Sequence, residues 1–234
     1  MLLGKKPIGT CAYLGGISNL PEPFVWSWSQ MIEYNNDYLV EPNQRIYYDK
    51  ASASFHSFAR NSLVQRMKGD WLLMLDTDHV FDPDLACKMT QRMYMHNVDV
   101  ITGFYQYKFP PYAPVLYRFI KGGHAIIGDW DKDIEFQQVD SAGAGCLLVR
   151  RSVFQRITNE LKEEPFDIIP PYGEDHSFFY RLRKLKIKAY FDSTIQYNHI
   201  VYRPVTLDDY EKEKDNLLMG KVKKKVEGRI MKEE

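Results

Sequence analysis

The sequence predicts an α/β protein, a single domain with a mostly parallel central sheet followed by a charged tail. Strand-like and helix-like segments alternate over the first 105 residues. One of them, WLLML at 71–75, is apolar throughout, as a strand buried on both faces must be. The 44% apolar and 26% charged composition is that of a globular chain.

Taken in order, residues 7–14 form the first strand, stopped by Gly15 and Gly16. Residues 21–35 are helical, with Pro21 early and Phe24, Trp28, Met31 and Ile32 on one stripe. A short strand is expected at 38–40, then a helix over 52–67 carrying Phe55, Phe58, Ala59, Leu63 and Met67. After WLLML, Asp82 and Pro83 open a helix running to about His96, with the acid as cap and the proline in the first turn. Residues 98–105 form a further strand. Prolines at 110, 111 and 114 and the Gly122-Gly123 pair mark hairpins and loops over 106–150. A strand at 146–149, a helix at 152–161, a Pro-rich loop at 165–172, a helix at 175–185 and strands at 187–191 and 195–199 complete the domain. Its bounds are 1–205. The tail, 206–234, has eight basic and eight acidic side chains. Its Leu218, Val222, Val226 and Ile230 recur every four residues, the pattern of a solvated helix or of a homo-oligomer contact.

Composition excludes several classes. Lys and Arg together number 31, balanced by 31 Asp and Glu, so a nucleic-acid partner is not expected. Three scattered cysteines make neither a disulfide framework nor a zinc cage. No apolar run approaches the ~20 residues of a membrane span, and MLLGKKPIG is not a signal peptide. The expectation is a cytoplasmic protein.

The chemistry concentrates in a few places. Asp76-Thr77-Asp78 follows WLLML. A bare Asp-x-Asp means little, since the chain has four of them among 18 aspartates. Only this pair stands at the carboxyl end of a buried strand, where open α/β sheets bind ligands. Two carboxylates there stay ionised cheaply only with a cation, and a hard divalent ion holding diphosphate oxygens is the simplest one. The competing reading is a turn and helix cap. Glu174 and Asp175 follow Gly173 at the mouth of a helix, which favours an anion and allows a general base; a plain capping acid is the alternative. Arg60 and Asn61 could hold phosphate or simply form a solvated face. His199 ends an apolar strand, as a structural histidine or a third metal ligand. Gly143, within SAGAG at 141–145, lines a pocket for small residues or makes a tight turn. His79 and His176 adjoin the acidic motifs without an assigned role.

In this order and spacing, the first strand, Ala59-Arg60-Asn61, the DTD, the glycine-rich segment, Gly173-Glu174-Asp175 and the late histidine resemble the glycosyltransferases of the GT-A fold, especially the family-2-like group. The resemblance spans roughly residues 7–200. It implies a single GT-A-like, Rossmann-like domain and sugar transfer from a nucleotide-diphosphate sugar, a UDP-sugar by preference, to the hydroxyl of a glycan, protein or small molecule. By the same resemblance, with Mn²⁺ or Mg²⁺ as the ion, Asp76 would face the metal or the nucleotide ribose, Asp78 the metal, and His199 the metal or the diphosphate. Asp175, or Glu174 in its place, would be the base of an inverting displacement. Thr10, Ala12, Tyr13, Arg60, Asn61 and Gly143 would contact the donor. Where many relatives carry short variants of A-x-N-x-G near the first strand, this chain reads CAYLGGISNLPEP. Two rival readings fit the same residues. LLMLDTDHV also fits the nucleophile motif of haloacid-dehalogenase-like phosphatases, but the only adjacent aspartate pair, Asp208-Asp209, lies in polar sequence. A catalytically silent sugar-nucleotide-binding module of the same fold is the other. A sugar-nucleotide pyrophosphorylase would need a fuller glycine loop than Gly15-Gly16.

Overall fold

The computed structural model describes residues 6–15, 19–52, 55–109, 112–121, 123–127 and 130–202. Two compact units divide the chain, Met1–Ile200 and Val201–Glu234, and the description below concerns the first. The tail expected at 206–234, with its oligomer contact, lies outside the described residues, as do Gly16, Pro110, Pro111 and Gly122.

Strands and helices alternate as β1 (Lys6–Gly15), α1 (Glu22–Tyr38), β2 (Gln44–Ser52), α2 (His56–Arg66), β3 (Trp71–Asp76), β4 (His79–Phe81), α3 (Leu85–Met95) and β5 (Val100–Phe104). Then come β6 (Leu116–Ile120), β7 (Gly123–Ile126), β8 (Phe136–Val139), β9 (Ser141–Ala142), β10 (Cys146–Arg150), α4 (Arg151–Arg156), α5 (Glu174–Lys184) and β11 (Ala189–His199). The main sheet runs β2-β1-β3-β10-β5-β11-β4, with β8 also pairing β11. Strands β2, β1 and β3 are mutually parallel, as are β5 and β11, while β10, β8 and β4 run against their neighbours. The sheet is thus mixed and mostly parallel. A second sheet, β7-β6-β9, is antiparallel.

The apolar run of β3 explains the layering. Leu72 and Met74 point into a core with Ala12, Leu147, Leu63, Phe154, Phe166 and Phe178, from α2, α4, α5 and the loop before α5. Trp71, Leu73 and Leu75 point the other way, into a core with Cys11, Leu148, Phe24, Met31, Met89 and Met93, from α1 and α3. Helices therefore cover both faces, and every side chain of residues 71–75 is buried.

Three expected elements are corrected. There is no strand at 38–40: α1 continues to Tyr38, held by Asn35, whose buried side chain bonds the Tyr48 hydroxyl at 3.3 Å. The strand lies at Gln44–Ser52 instead. As an edge strand it buries only Ile46 and Ala51, which blurred its alternation. The two strands expected at 187–191 and 195–199 are one, β11, with a register shift between Phe191 and Gln196. There Asp192, fully buried, accepts from the Thr194 amide and lies 2.5 Å from Arg92 Nε, so polar residues interrupt the apolar pattern without ending the strand. Finally, Asp82 and Pro83 form the turn ahead of α3, whose cap position is Asp84, because residues 79–81 are committed to β4.

Gly9 is where β1 accommodates Trp71. A Cβ there would fall 2.1 Å from the buried indole. Gly9→Ala is expected to cost about 1–3 kcal/mol through overpacking. That lowers the melting temperature by roughly 2–12 °C in a chain of this size. Gly123→Ala, whose Cβ meets nothing within 4 Å among the described residues, is the control. Equal melting of the two variants in a thermal scan would contradict the packing described.

Candidate active site

The carboxyl end of β3, the segment 143–145, the start of α5 and the end of β11 enclose a cleft of about 500 Å³. Its frame is Arg60. This α2 side chain is 2% exposed, donates through Nη1 to the Ala144 carbonyl at 2.7 Å and through Nη2 to Asp76 Oδ1 at 3.0 Å, and places Nε 3.6 Å from Glu174 Oε1. Burial opposes its charge, but Asp76, Glu174 and Asp175 outweigh that and hold the guanidinium above its usual pKa. Asp76 is fixed further by its backbone: its amide donates to the Gly145 carbonyl at 2.8 Å, and its carbonyl accepts from the Tyr197 hydroxyl at 2.7 Å. Glycine is required at 143, where a Cβ would stand 2.2 Å from the Tyr105 hydroxyl oxygen. That hydroxyl in turn accepts from the Gly145 amide at 3.1 Å.

On one side of this frame β4 pairs antiparallel with β11, His79 directly opposite His199. Their rings lie 3.8 Å apart, and ligand atoms of Asp78, His79 and His199 all fall within 4.8 Å of one another. A hydrogen bond sets the tautomer of His199: Nδ1 lies 2.6 Å from the Gln106 carbonyl, which can only accept, so Nδ1 carries the proton and a neutral ring offers Nε2 as a lone pair. Burial and the neighbouring His79 keep its pKa below that of an ordinary imidazole. His79 is 1% exposed, packed on Tyr197 and edge-on to Tyr105, and neither ring nitrogen makes a hydrogen bond. Its Nδ1 is 2.8 Å from Asp78 Oδ1 without hydrogen-bond alignment. Burial works against the Asp78 charge, yet His79 and the Lys108 ammonium, which touches Oδ2, hold its carboxyl well below the usual carboxylate range. A buried imidazole nitrogen without an aligned hydrogen bond is costly, about 1–3 kcal/mol, and a cation bound at one of the two would remove the cost of that one. One carboxylate and two imidazoles suit a transition ion such as Mn²⁺ better than Mg²⁺. The residues present fit a divalent metal.

On the other side stands the first turn of α5. Glu174 faces Arg60 and lies 3.7 Å from His56 Nδ1. Asp175 lines the cleft, Oδ1 accepting from the His176 amide at 2.7 Å. His176 lies 2.7 Å through Nδ1 from the Ser141 hydroxyl, edge-on to Tyr117 and tilted against His124. Burial holds it below the usual imidazole pKa.

Arg60, Asp76, Asp78, Gly143, Glu174, Asp175 and His199 thus come together in one cleft. Asp76 faces Arg60, and its place in the cluster of potential ligands is taken by His79. Thr10, Ala12, Tyr13 and Asn61 do not line the cleft. Thr10 is fully buried, its hydroxyl donating to the Lys68 carbonyl and accepting from the Lys68 amide. Ala12 sits in the core, and Tyr13 packs against Phe24 and Trp28. Asn61 accepts from the Phe166 amide and donates to Asp167, both at 2.9 Å, tying α2 to the loop before α5. The sequence reading gave no role to Lys108 or Tyr105, and none to His79 although it adjoins the DTD.

Known proteins agree with this architecture. The sequence model of Glycosyl transferase family 2 matches residues 31–158, which include Arg60, Asp76, Asp78 and Gly143. No curated protein matches the chain significantly. Among solved structures, the crystal structure of A197 from STIV is similar in fold, with a TM-score of 0.57 at 20% identity, covering 82% of this chain and 86% of that one. No helix among the described residues is long and apolar enough to cross a membrane. A family match over more than half of the sequence, on an α/β frame of this kind, sets the phosphatase reading aside: the chain belongs to glycosyl transferase family 2.

Proposed function

We propose that this glycosyltransferase moves a sugar from a nucleoside-diphosphate donor to an acceptor hydroxyl with inversion, and that Asp78, His79 and His199 hold the divalent cation while Asp175 is the general base. The observation that carries the reading is the buried imidazole of His79, neither nitrogen in an aligned hydrogen bond, facing His199 and Asp78 in the cleft that Asp175 also lines. When bound, the cation would neutralise charge on the departing diphosphate. Asp175 removes the acceptor proton while the acceptor oxygen forms its bond to the anomeric carbon. The bond from that carbon to the diphosphate oxygen breaks, and its electron pair leaves with the nucleoside diphosphate. Glu174, engaged by Arg60 and His56, holds the frame and is less suited to accept a proton. Arg60 is a positioning residue that fixes Asp76 and the 144–145 backbone.

Asp175→Asn keeps shape but removes the proton acceptor, so transfer should fall about 10²-fold or more with nucleotide affinity unchanged. Activity within a few-fold of wild type would move the base elsewhere.

His79→Ala and His199→Ala should each weaken Mn²⁺ binding by about ten- to a hundredfold. Asp82→Ala, an exposed carboxylate of the next Asp-x-Asp, should leave it unchanged. Mn²⁺ titration followed by electron paramagnetic resonance reads all three, and equal affinities would remove the metal from this cluster.

The metal affinity should also fall as pH is lowered, because a protonated imidazole cannot ligate. The loss should come below about pH 6.5, the ordinary imidazole value, since burial and His79 favour neutral His199. Affinity that rises on acidification would exclude imidazole ligands.

A further inference from the structure

We propose that Lys108 is a resident counter-cation of the metal cluster: it occupies Asp78 while no metal is bound, yields to the divalent ion, and then engages the donor's diphosphate. This rests on the metal reading above. Lys108 Nζ contacts Asp78 Oδ2, the carboxylate oxygen turned away from His79. An ammonium has three N–H donors and no lone pair, so it balances the carboxylate charge but leaves His79 without a ligand of its own. A divalent ion bound through Asp78 Oδ1 and the imidazoles would share one carboxylate with this ammonium, and two like charges on one partly buried carboxylate repel. The ion, held also by the two imidazoles, draws charge from the carboxylate and loosens its hold on the ammonium.

What can move is the side chain. The backbone before Lys108 is fastened on both sides: the Gln106 carbonyl holds His199 Nδ1, and the Tyr107 amide donates to the Ala113 carbonyl at 2.9 Å. Tyr107 also touches the Tyr117 hydroxyl through its own. Lys108 is about one third exposed on a flexible four-carbon stem, and its neighbours Tyr107 and Phe109 line the same cleft. Displaced from Asp78, the ammonium therefore stays at the cleft. Arg60 is already committed to Asp76, Ala144 and Glu174, which leaves Lys108 as the cation that can change partner among the described residues facing the metal cluster. The anion that a metal ion brings to such a site is a chain of phosphate oxygens, which lysine binds as a point charge.

The proposal predicts opposite changes from one substitution. Lys108→Met keeps the stem and removes the charge. Without nucleotide, Mn²⁺ should bind the full-length variant about tenfold more tightly than wild type, because its competitor is gone. With Mn²⁺ saturating, inorganic pyrophosphate should bind about tenfold more weakly, because its second cation is gone. Lys108→Arg retains the charge and should keep both affinities within about threefold. Calorimetric titration of Mn²⁺ and then of pyrophosphate reads both changes, and circular dichroism checks that the variants are folded. Unchanged or weaker Mn²⁺ binding in Lys108→Met would overturn the proposal, as would unchanged pyrophosphate binding. If wild type itself binds no Mn²⁺, the metal reading falls and this one with it; if wild type binds Mn²⁺ and Lys108→Met binds it equally, only the role of Lys108 falls.

Discussion

The buried guanidinium of Arg60 is the interaction on which the cleft depends. Burying a cation is expensive by several kcal/mol, and it is tolerated here because partners from three separate stretches of chain converge on it: hydrogen-bond acceptors in Asp76 at the end of β3 and the Ala144 carbonyl, and the Glu174 carboxylate, an ion pair at 3.6 Å, at the start of α5. None of the three can shift without leaving a charge or a carbonyl unsatisfied in the interior. Arg60 thereby sets the distance between the sheet end and the α5 mouth, from the wall of the cleft itself. Asn61, the next residue, does the same for the loop before α5 with an amide instead of a charge.

Against that frame the site divides into two sides with different electrostatics. One side gathers two imidazoles and a carboxylate, with the Lys108 ammonium as the carboxylate's balancing charge. The other presents carboxylates in the first turn of α5, near the positive end of the helix, with His176, Tyr117 and His124 around them. Such a division suits a transfer in which negative charge leaves on one side and a proton is taken on the other. The family match ends at residue 158, ahead of both Asp175 and His199. The α5 side and the late histidine therefore rest on geometry, in the register of β4 against β11 and the position of α5 against Arg60.

Much of the frame was legible from residue pattern. WLLML reads as a doubly covered strand, and both of its faces are buried. Helical stripes such as Phe24 and Met31 in α1 point into the core as their spacing requires. The elements that residue pattern does not give lie where burial is one-sided or polar: β2 at the sheet edge, β4 with three residues, and the Asp192 kink of β11. At such positions the backbone ladder, which any residue can join, decides the structure, and side-chain periodicity carries little signal.

The same division holds in the site. By itself the sequence determined that an acidic pair ends a buried strand, that Gly173-Glu174-Asp175 opens a helix, and that a histidine closes the last strand, because each is a local matter of burial, capping and spacing. Tertiary structure alone decided which groups face one another. Asp76 and Asp78, one residue apart, point to different partners, one to Arg60 and the other to His79 and Lys108. His79 joins His199 across 120 residues only because β4 pairs with β11 in that register. Thr10, Ala12 and Tyr13, on a strand flanked on both sides in the sheet, do not line the cleft. Ligand clusters are made by through-space electrostatics over a few ångströms, and distance along the chain carries no record of it.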